Sequence, residues 1–231
     1  MNSESTIAHT LGALQRDAAS GLAYRVRQPQ PVAPTRCVVL LHGVGGNETN
    51  LLDLAEGLAE DTLVAFVRGP LQLGPGQHAW FRVAFTGNGP QIVPQEAERS
   101  RQLLISFVQQ LGVQHGVAPA RTVIAGFSQG GILSASVALS APEAVAGFAV
   151  LSGRILPELE PHLASPAQLA HLRAFIGHGT QDSKLPVQWA ERADTLLTTL
   201  GVEHAVRLYP MDHGISAAMH QDFVDWVAAL T

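Results

Sequence analysis

Residues 121–131 read Arg-Thr-Val-Ile-Ala-Gly-Phe-Ser-Gln-Gly-Gly, with a G-x-S-x-G pattern from Gly126 to Gly130. The apolar, β-branched start of this stretch reads as a strand, and the run from Ile132 to Leu139 that follows reads as a helix. A strand that passes through G-x-S-x-G into a helix must turn very tightly. A Cβ at Gly126 or Gly130 would then strike the neighbouring strand or helix. The turn lifts Ser128 out of the sheet with its hydroxyl exposed and its backbone strained. It also aims a helix N-terminus at the point where negative charge would develop on a substrate. Five residues with three fixed positions arise readily by chance, and a plain strand–turn–helix with a surface serine has the same form. The neighbouring sequence has to decide.

Outward from this turn, short apolar runs alternate with amphipathic stretches. Cys37–Leu41, Leu63–Val67, Thr122–Ala125, Gly147–Leu151, Leu172–Ile176 and Ala205–Tyr209 read as strands, with Tyr24–Arg27 as an edge strand. Helices are predicted over Glu48–Ala59, Gln95–Leu111, Gly130–Ser140, Val187–Leu200 and Ser216–Leu230. The strand runs show little polar alternation, so both sheet faces are expected to be covered. The pattern predicts one α/β domain over residues 1–231, with a mostly parallel central sheet and helices on both faces. Residues 1–35 supply an N-terminal extension and early edge strands. Three stretches break the alternation. Gln28–Thr35 is Pro-rich and reads as a turn, Gly69–Pro94 as a long irregular loop, and Pro157–Pro166 as a short insertion near the site.

Composition narrows the function classes. The 231 residues are 46% hydrophobic and only 14% charged, which fits a folded globular chain and argues against disorder. The net charge is −5 and Lys and Arg form no cluster, so nucleic acid is not an expected partner. No apolar run approaches the ~18 residues of a membrane span, so no stable membrane insertion is expected. The first residues lack the basic and apolar regions of a signal peptide, and a cytoplasmic location is expected. The single cysteine, Cys37, opens an apolar run and reads as a buried strand residue.

A serine hydroxyl needs a base to accept its proton, and the base needs an acid to orient it. Both should stand on loops at the carboxyl ends of later strands. After Leu172–Ile176 comes Gly177-His-Gly-Thr-Gln-Asp182, and after Ala205–Tyr209 comes Pro210-Met-Asp-His213. Asp182 and His213 therefore complete a Ser128, Asp182, His213 order, with Asp212 as the alternative acid. His9, His115, His162, His171, His204 and His220 lack that placement, and His178 stands too near Asp182 in sequence to be its partner. Lys184 reads as a solvated loop charge. Acyl transfer also needs oxyanion donors. The backbone N–H of Gln129 is one, and the Gly-rich loop Leu41-His-Gly-Val-Gly-Gly-Asn47 offers the second at Val44. That loop lacks the G-K-[ST] ending of a phosphate loop. No metal or cofactor is required for this chemistry.

Together, Leu41-His-Gly-Val-Gly-Gly-Asn-Glu48, Ala79-Trp-Phe81, Gly126-Phe-Ser-Gln-Gly-Gly131, His178-Gly-Thr-Gln-Asp182 and Asp212-His-Gly214 resemble the phospholipase/carboxylesterase family of α/β-hydrolases. The resemblance spans roughly residues 36 to 230. It implies an α/β-hydrolase fold, the Ser128–Asp182–His213 triad and an oxyanion hole from Val44 and Gln129. It further implies an acyl pocket near Trp80, and it is compatible with a homodimer. Trp80, Phe81 and Phe85 are expected to line or cover that pocket, unless they form a hydrophobic plug pinning the long loop. Arg82 stands where relatives commonly carry Asp, and Asp182-Ser-Lys-Leu-Pro186 departs from the usual Asp-Pro. These changes fall on the pocket rim. The implied reaction is hydrolysis of a small-molecule carboxylic ester through an acyl-enzyme. A thioesterase or lysophospholipase acting on longer acyl chains is the alternative, and a non-catalytic binding protein the remote one.

Overall fold

The computed structural model describes residues 9–86 and 89–230. Along them, β1 (Thr10–Leu11), β2 (Gln15–Arg16), β3 (Ala23–Gln28), β4 (Arg36–Leu41) and β5 (Thr62–Val67) come first. Two hairpins follow, β6 (Leu71–Gly74) with β7 (Gln77–Ala79) and β8 (Val83–Thr86) with β9 (Gly89–Ile92). Then come α1 (Pro94–His115), β10 (Thr122–Phe127), α2 (Gln129–Ser140), β11 (Gly147–Leu151) and α3 (Pro166–Leu169). The chain ends through β12 (Arg173–Gly179), α4 (Gln188–Leu200), β13 (Glu203–Tyr209) and α5 (Ala217–Ala229).

The main sheet runs in the order β1-β3-β5-β4-β10-β11-β12-β13, with β2 also paired to β3. From β5 to β13 every pairing is parallel, while β3 lies antiparallel to β5. The carboxyl ends of β4, β10, β11, β12 and β13 therefore open on one edge, where the loops carrying Val44, Ser128, Asp182 and His213 emerge. Strand β4 shows why both faces are apolar. Val39 and Leu41 pack with α1, α2 and α4 residues such as Leu104, Leu133 and Leu197. Val38 and Leu40 pack on the other side with Phe223 and Val227 of α5. Cys37 is buried in β4, and burial pushes its thiol up to about 12.

Helix α2 is apolar all round and is buried from Gln129 to Leu139. Its serines satisfy themselves on the preceding turn. Ser134 Oγ donates to the Gly130 carbonyl at 2.9 Å and Ser136 Oγ to the Ile132 carbonyl at 2.8 Å. The start of the helix lies almost against β4. A Cβ on Gly130 would come within 2.0 Å of the Leu41 carbonyl oxygen, and one on Gly126 within 2.4 Å of the Gly130 carbonyl carbon. Both obstacles are backbone and cannot turn aside. Gly130→Ala is accordingly expected to cost more than about 3 kcal/mol, the upper end of overpacking penalties. A denaturant midpoint equal to wild type would show that the approach is looser than this.

Three expectations from sequence need correction, and a fourth stretch, Pro157–Pro166, gains its form. Glu48–Ala59 is not a helix; it is a series of turns with one 3₁₀ turn at Asp53–Ala55. Asn47 Oδ1 accepts from the Thr49 amide and hydroxyl, and Asn50 Oδ1 accepts from the Asn47 amide. These side chains take the bonds a helix would have needed, and Gly57 at φ +82° ends any run. Gly69–Pro94 is not an irregular loop but holds the two hairpins. The strand Tyr24–Arg27 is not an edge, because β1 and β2 pair outside it. Pro157–Pro166 is a 3₁₀ segment, Pro157–His162, leading to the short α3.

Candidate active site

Ser128 stands between β10 and α2 with φ 52° and ψ −113°, a backbone region that L residues rarely adopt. The fold imposes it from both sides. The Ser128 N–H donates to the Leu151 carbonyl at 2.8 Å, and its carbonyl accepts from the Ile132 N–H at 3.1 Å. The side chain is left pointing from the sheet edge toward the loop after β13.

His213 lies on that loop. Its Nδ1 is 2.8 Å from Asp182 Oδ2 and its Nε2 is 3.0 Å from Ser128 Oγ. A carboxylate can only accept, so Nδ1 carries the proton and Nε2 is free to accept from the serine hydroxyl. The other Asp182 oxygen accepts from the Lys184 and Leu185 amides at 2.9 and 2.8 Å. The carboxylate is thus held by its own loop while it orients the imidazole. Asp212, the alternative acid, faces elsewhere. It accepts from the backbone amides of Ser183 and His213, each at 2.7 Å, and these bonds hold its carboxyl below the usual range. The imidazole rests on Phe127, with ring centroids 5.0 Å apart. Ser152 Oγ donates to the Gly214 carbonyl at 2.8 Å and ties the loop to the end of β11.

Three other histidines are engaged elsewhere. His178 is buried beside Asp182, with Nε2 2.7 Å from the Leu185 carbonyl and 3.4 Å from Asp182 Oδ2. His220 donates to the Glu56 carbonyl, and His204 contacts Asp194.

The loop after β4 is braced at each end. His42 Nε2 accepts from the Gly69 amide at 2.9 Å, so its Nδ1 carries the proton donated to the Gly43 carbonyl at 2.7 Å. Burial pushes this neutral imidazole down to about 4. Gly45 N–H donates to the His78 carbonyl and His78 N–H to the Gly46 carbonyl, each at 2.8 Å. Glu48 is held by Arg68 and Arg25. Burial works to raise its carboxyl, and the two guanidiniums overcome that to bring it to about 2. Between these anchors, among the described residues, Val44 makes no hydrogen bond and the Gln129 amide at the start of α2 has no acceptor. Two unused donors therefore flank Ser128.

Trp80 and Phe81 separate in the structure. Phe81 lines a cleft beside Ser128, but Trp80 is wholly buried and does not line it. Trp80 donates from Nε1 to the His42 carbonyl at 2.9 Å, and its amide donates to Gln129 Oε1 at 2.8 Å. Gln129 Nε2 in turn donates to the Phe81 carbonyl at 2.7 Å. Trp80 is a brace between the loop after β4 and α2. The Phe85 side chain lies outside the described residues.

Val44 divides the surface around Ser128 into two spaces. A narrow, half-enclosed cleft, about 30 Å³ within and about 360 Å³ with its open mouth, is walled by Phe81, Ile92, Gln129, Ile132, Arg154 and Leu185, among others. An open groove of about 810 Å³, mouth included, runs past Gly43–Gly46, Leu51, Phe127 and Ile215. Sequence reasoning missed the Gln129 side chain, Ser152 and Arg154. The signal for Arg154 was its position, since a charged residue directly follows a buried parallel strand in Leu151-Ser-Gly-Arg154.

Known proteins resemble this chain in sequence and fold. The model of a family described as Phospholipase/Carboxylesterase matches residues 24–231. An acyl-protein thioesterase 1 of Emericella nidulans is 26% identical over 195 residues, covering 73% of this chain and 78% of that protein. One from Kluyveromyces lactis is 28% identical over 181 residues, covering 73% and 79%. A carboxylesterase structure from Mesorhizobium loti superposes with a TM-score of 0.78 at 24% identity, covering 94% of this chain and 98% of that one. A Bacillus cereus carboxylesterase gives 0.77 at 23% identity, with 91% and 95% covered. Among the described residues no helix is long and apolar enough to cross a membrane.

Proposed function

The chain belongs to the phospholipase/carboxylesterase family and is an ester hydrolase of the carboxylesterase or acyl-protein thioesterase type; from that premise we propose that it cleaves small carboxylic esters through an acyl-enzyme on Ser128. The observation that carries this reading is the unbroken chain Ser128 Oγ, His213 Nε2, His213 Nδ1, Asp182 Oδ2, with steps of 3.0 and 2.8 Å. In this reading Ser128 attacks the acyl carbonyl as His213 takes its proton. The amides of Val44 and Gln129 receive the oxyanion, and the α2 N-terminus adds favourable potential. His213 then protonates the leaving alcohol. Water, activated by the same imidazole, releases the acid. Asp182 keeps the proton on Nδ1 and stabilises the imidazolium.

The narrow cleft suits the acyl group and the open groove the leaving group. With only about 30 Å³ of room inside its mouth, the cleft favours short acyl chains. A second reading draws on the open side. The groove shares Asn50, Leu51 and Ile215 with a further hollow that reaches Leu54 and Ser216, so a long acyl chain or an extended thioester substrate could lie along it.

Labelling by a fluorophosphonate, mapped to Ser128 by mass spectrometry, tests the nucleophile. Rates on p-nitrophenyl esters of rising chain length and on matched thioesters separate the two readings. The small-ester reading expects kcat/KM to fall as the acyl chain lengthens, and a rise toward long chains would favour the second. Absence of labelling would overturn both.

A further inference from the structure

One charged side chain in the cleft has no role in the chemistry above. Arg154 leaves β11 at its carboxyl end, next to the strand that carries Ser128. It is 6% exposed and stands in the cleft wall with Ser128 and Gln129. None of its nitrogens has a hydrogen-bond or ion-pair partner among the described residues, and Nε is fully enclosed. Its one directed contact is the Trp189 ring, 4.5 Å from the guanidinium carbon to the centroid. Glu158 acts on its charge from a distance without pairing.

Arg27 shows how this fold settles a buried guanidinium that is purely structural. Its terminal nitrogens donate to the carbonyls of Ala55, Leu58, Ala59 and Thr62 at 2.7 to 3.3 Å. Arg154 is nearly as buried and has none of these. A guanidinium stays charged; with Nε enclosed and no protein acceptor for the terminal nitrogens, which still reach the cleft, their bonds are left to water or to a ligand. Lys184 is exposed on the same cleft wall and forms no ion pair among the described residues. The nearby Asp182 is committed to His213 and to two amides. The cleft thus offers two cations, no free carboxylate and apolar sides at Phe81, Ile92, Ile132 and Leu185.

We propose that this cleft selects esters whose acyl chain ends in a carboxylate, the half-esters of dicarboxylic acids, with Arg154 as the partner of that carboxylate. The inference rests on the reading of Ser128 as nucleophile and names its substrate class. A planar monoanion matches the guanidinium fork, and its apolar methylenes match the cleft sides. A single buried cation in so narrow a space suits one negative charge better than the nearly two of a phosphate.

The test compares mono-p-nitrophenyl adipate with p-nitrophenyl hexanoate. Wild type is expected to favour the anionic ester by about 10- to 100-fold in kcat/KM, the range of a charge-assisted hydrogen bond in a desolvated site. Arg154→Met should collapse that ratio, chiefly through KM for the adipate ester, and Arg154→Lys should restore part of it. An equal loss on both esters would assign Arg154 to packing against Trp189 and overturn the proposal, as would a wild-type ratio near one. If Arg154→Met does not fold, inhibition of wild type decides instead. Adipate competing far better than adipamide supports the proposal, and inorganic phosphate competing better than adipate overturns it. Hydrolysis of neither ester, without fluorophosphonate labelling, would be a failure of the nucleophile reading instead.

Discussion

Ser128→Ala is expected to lower kcat on an aryl ester by about 10⁶-fold, the loss seen when a triad nucleophile is removed. The size of the effect follows from what remains. His213 and Asp182 keep their hydrogen bond, and the Val44 and Gln129 amides still face the carbonyl, but no atom is left to form the acyl-enzyme. Folding should change little. The Ser128 hydroxyl bonds only His213, and alanine tolerates φ 52° no worse than serine does. A variant within about tenfold of wild type, with its denaturant midpoint unchanged, would sink the assignment.

Asp182→Asn is expected to cost about 10⁴-fold in kcat, through the tautomer of His213 rather than through lost charge alone. One oxygen of Asp182 faces two N–H donors, from Lys184 and Leu185, and the other faces His213 Nδ1. The amide oxygen of asparagine must take the side with two donors. Its NH₂ then points at Nδ1, which can bond only as an acceptor. The imidazole proton moves to Nε2, the atom that must receive the serine proton. A pH profile tests this separately from general damage. Activity should rise at alkaline pH as the weaker hydroxide-assisted route takes over, whereas a misfolded variant would lose activity at every pH. A loss below about tenfold would mean that Asp212 or another group orients His213.

The strands and the loops of the candidate site were legible because their signals are local. Each parallel strand is a short apolar run buried on both faces, and Ser128, Asp182 and His213 each follow such a run. The residues that the structure brings together, Ser128, Asp182 and His213, were picked out in order from the motif at Gly126–Gly130 and the strand ends, without knowledge of any contact. Glu48–Ala59 misled for a physical reason. Leu51, Leu54 and Leu58 do cover one face of the sheet, as a helix of that spacing would, yet they do so from turns held by Asn47 and Asn50. The hairpins in Gly69–Pro94 escaped because glycine and proline mask short strands whose pairing depends on what they pack against. Trp80 was assigned to the pocket by resemblance, but its indole N–H is spent on the His42 carbonyl behind the wall. Arg154 offered one local cue, a charge just past a buried strand, but the acceptors it lacks are recorded in no sequence pattern.

The Gln129 side chain, which spans from the Trp80 amide to the Phe81 carbonyl, separates two jobs that share one wall. Inward of this clasp lie Ser128, its helix and the loop after β4, where on the proposed mechanism small displacements would cost rate. Outward lie the hairpin of β8 and β9 and the residues Val83, Pro90 and Ile92 that shape the cleft. Such a clasp lets the outer hairpin vary in length and polarity while the reacting atoms keep their places. The molecule is in effect a fixed engine with an interchangeable mouthpiece, and substitutions that retune its substrate should concentrate between residues 83 and 92.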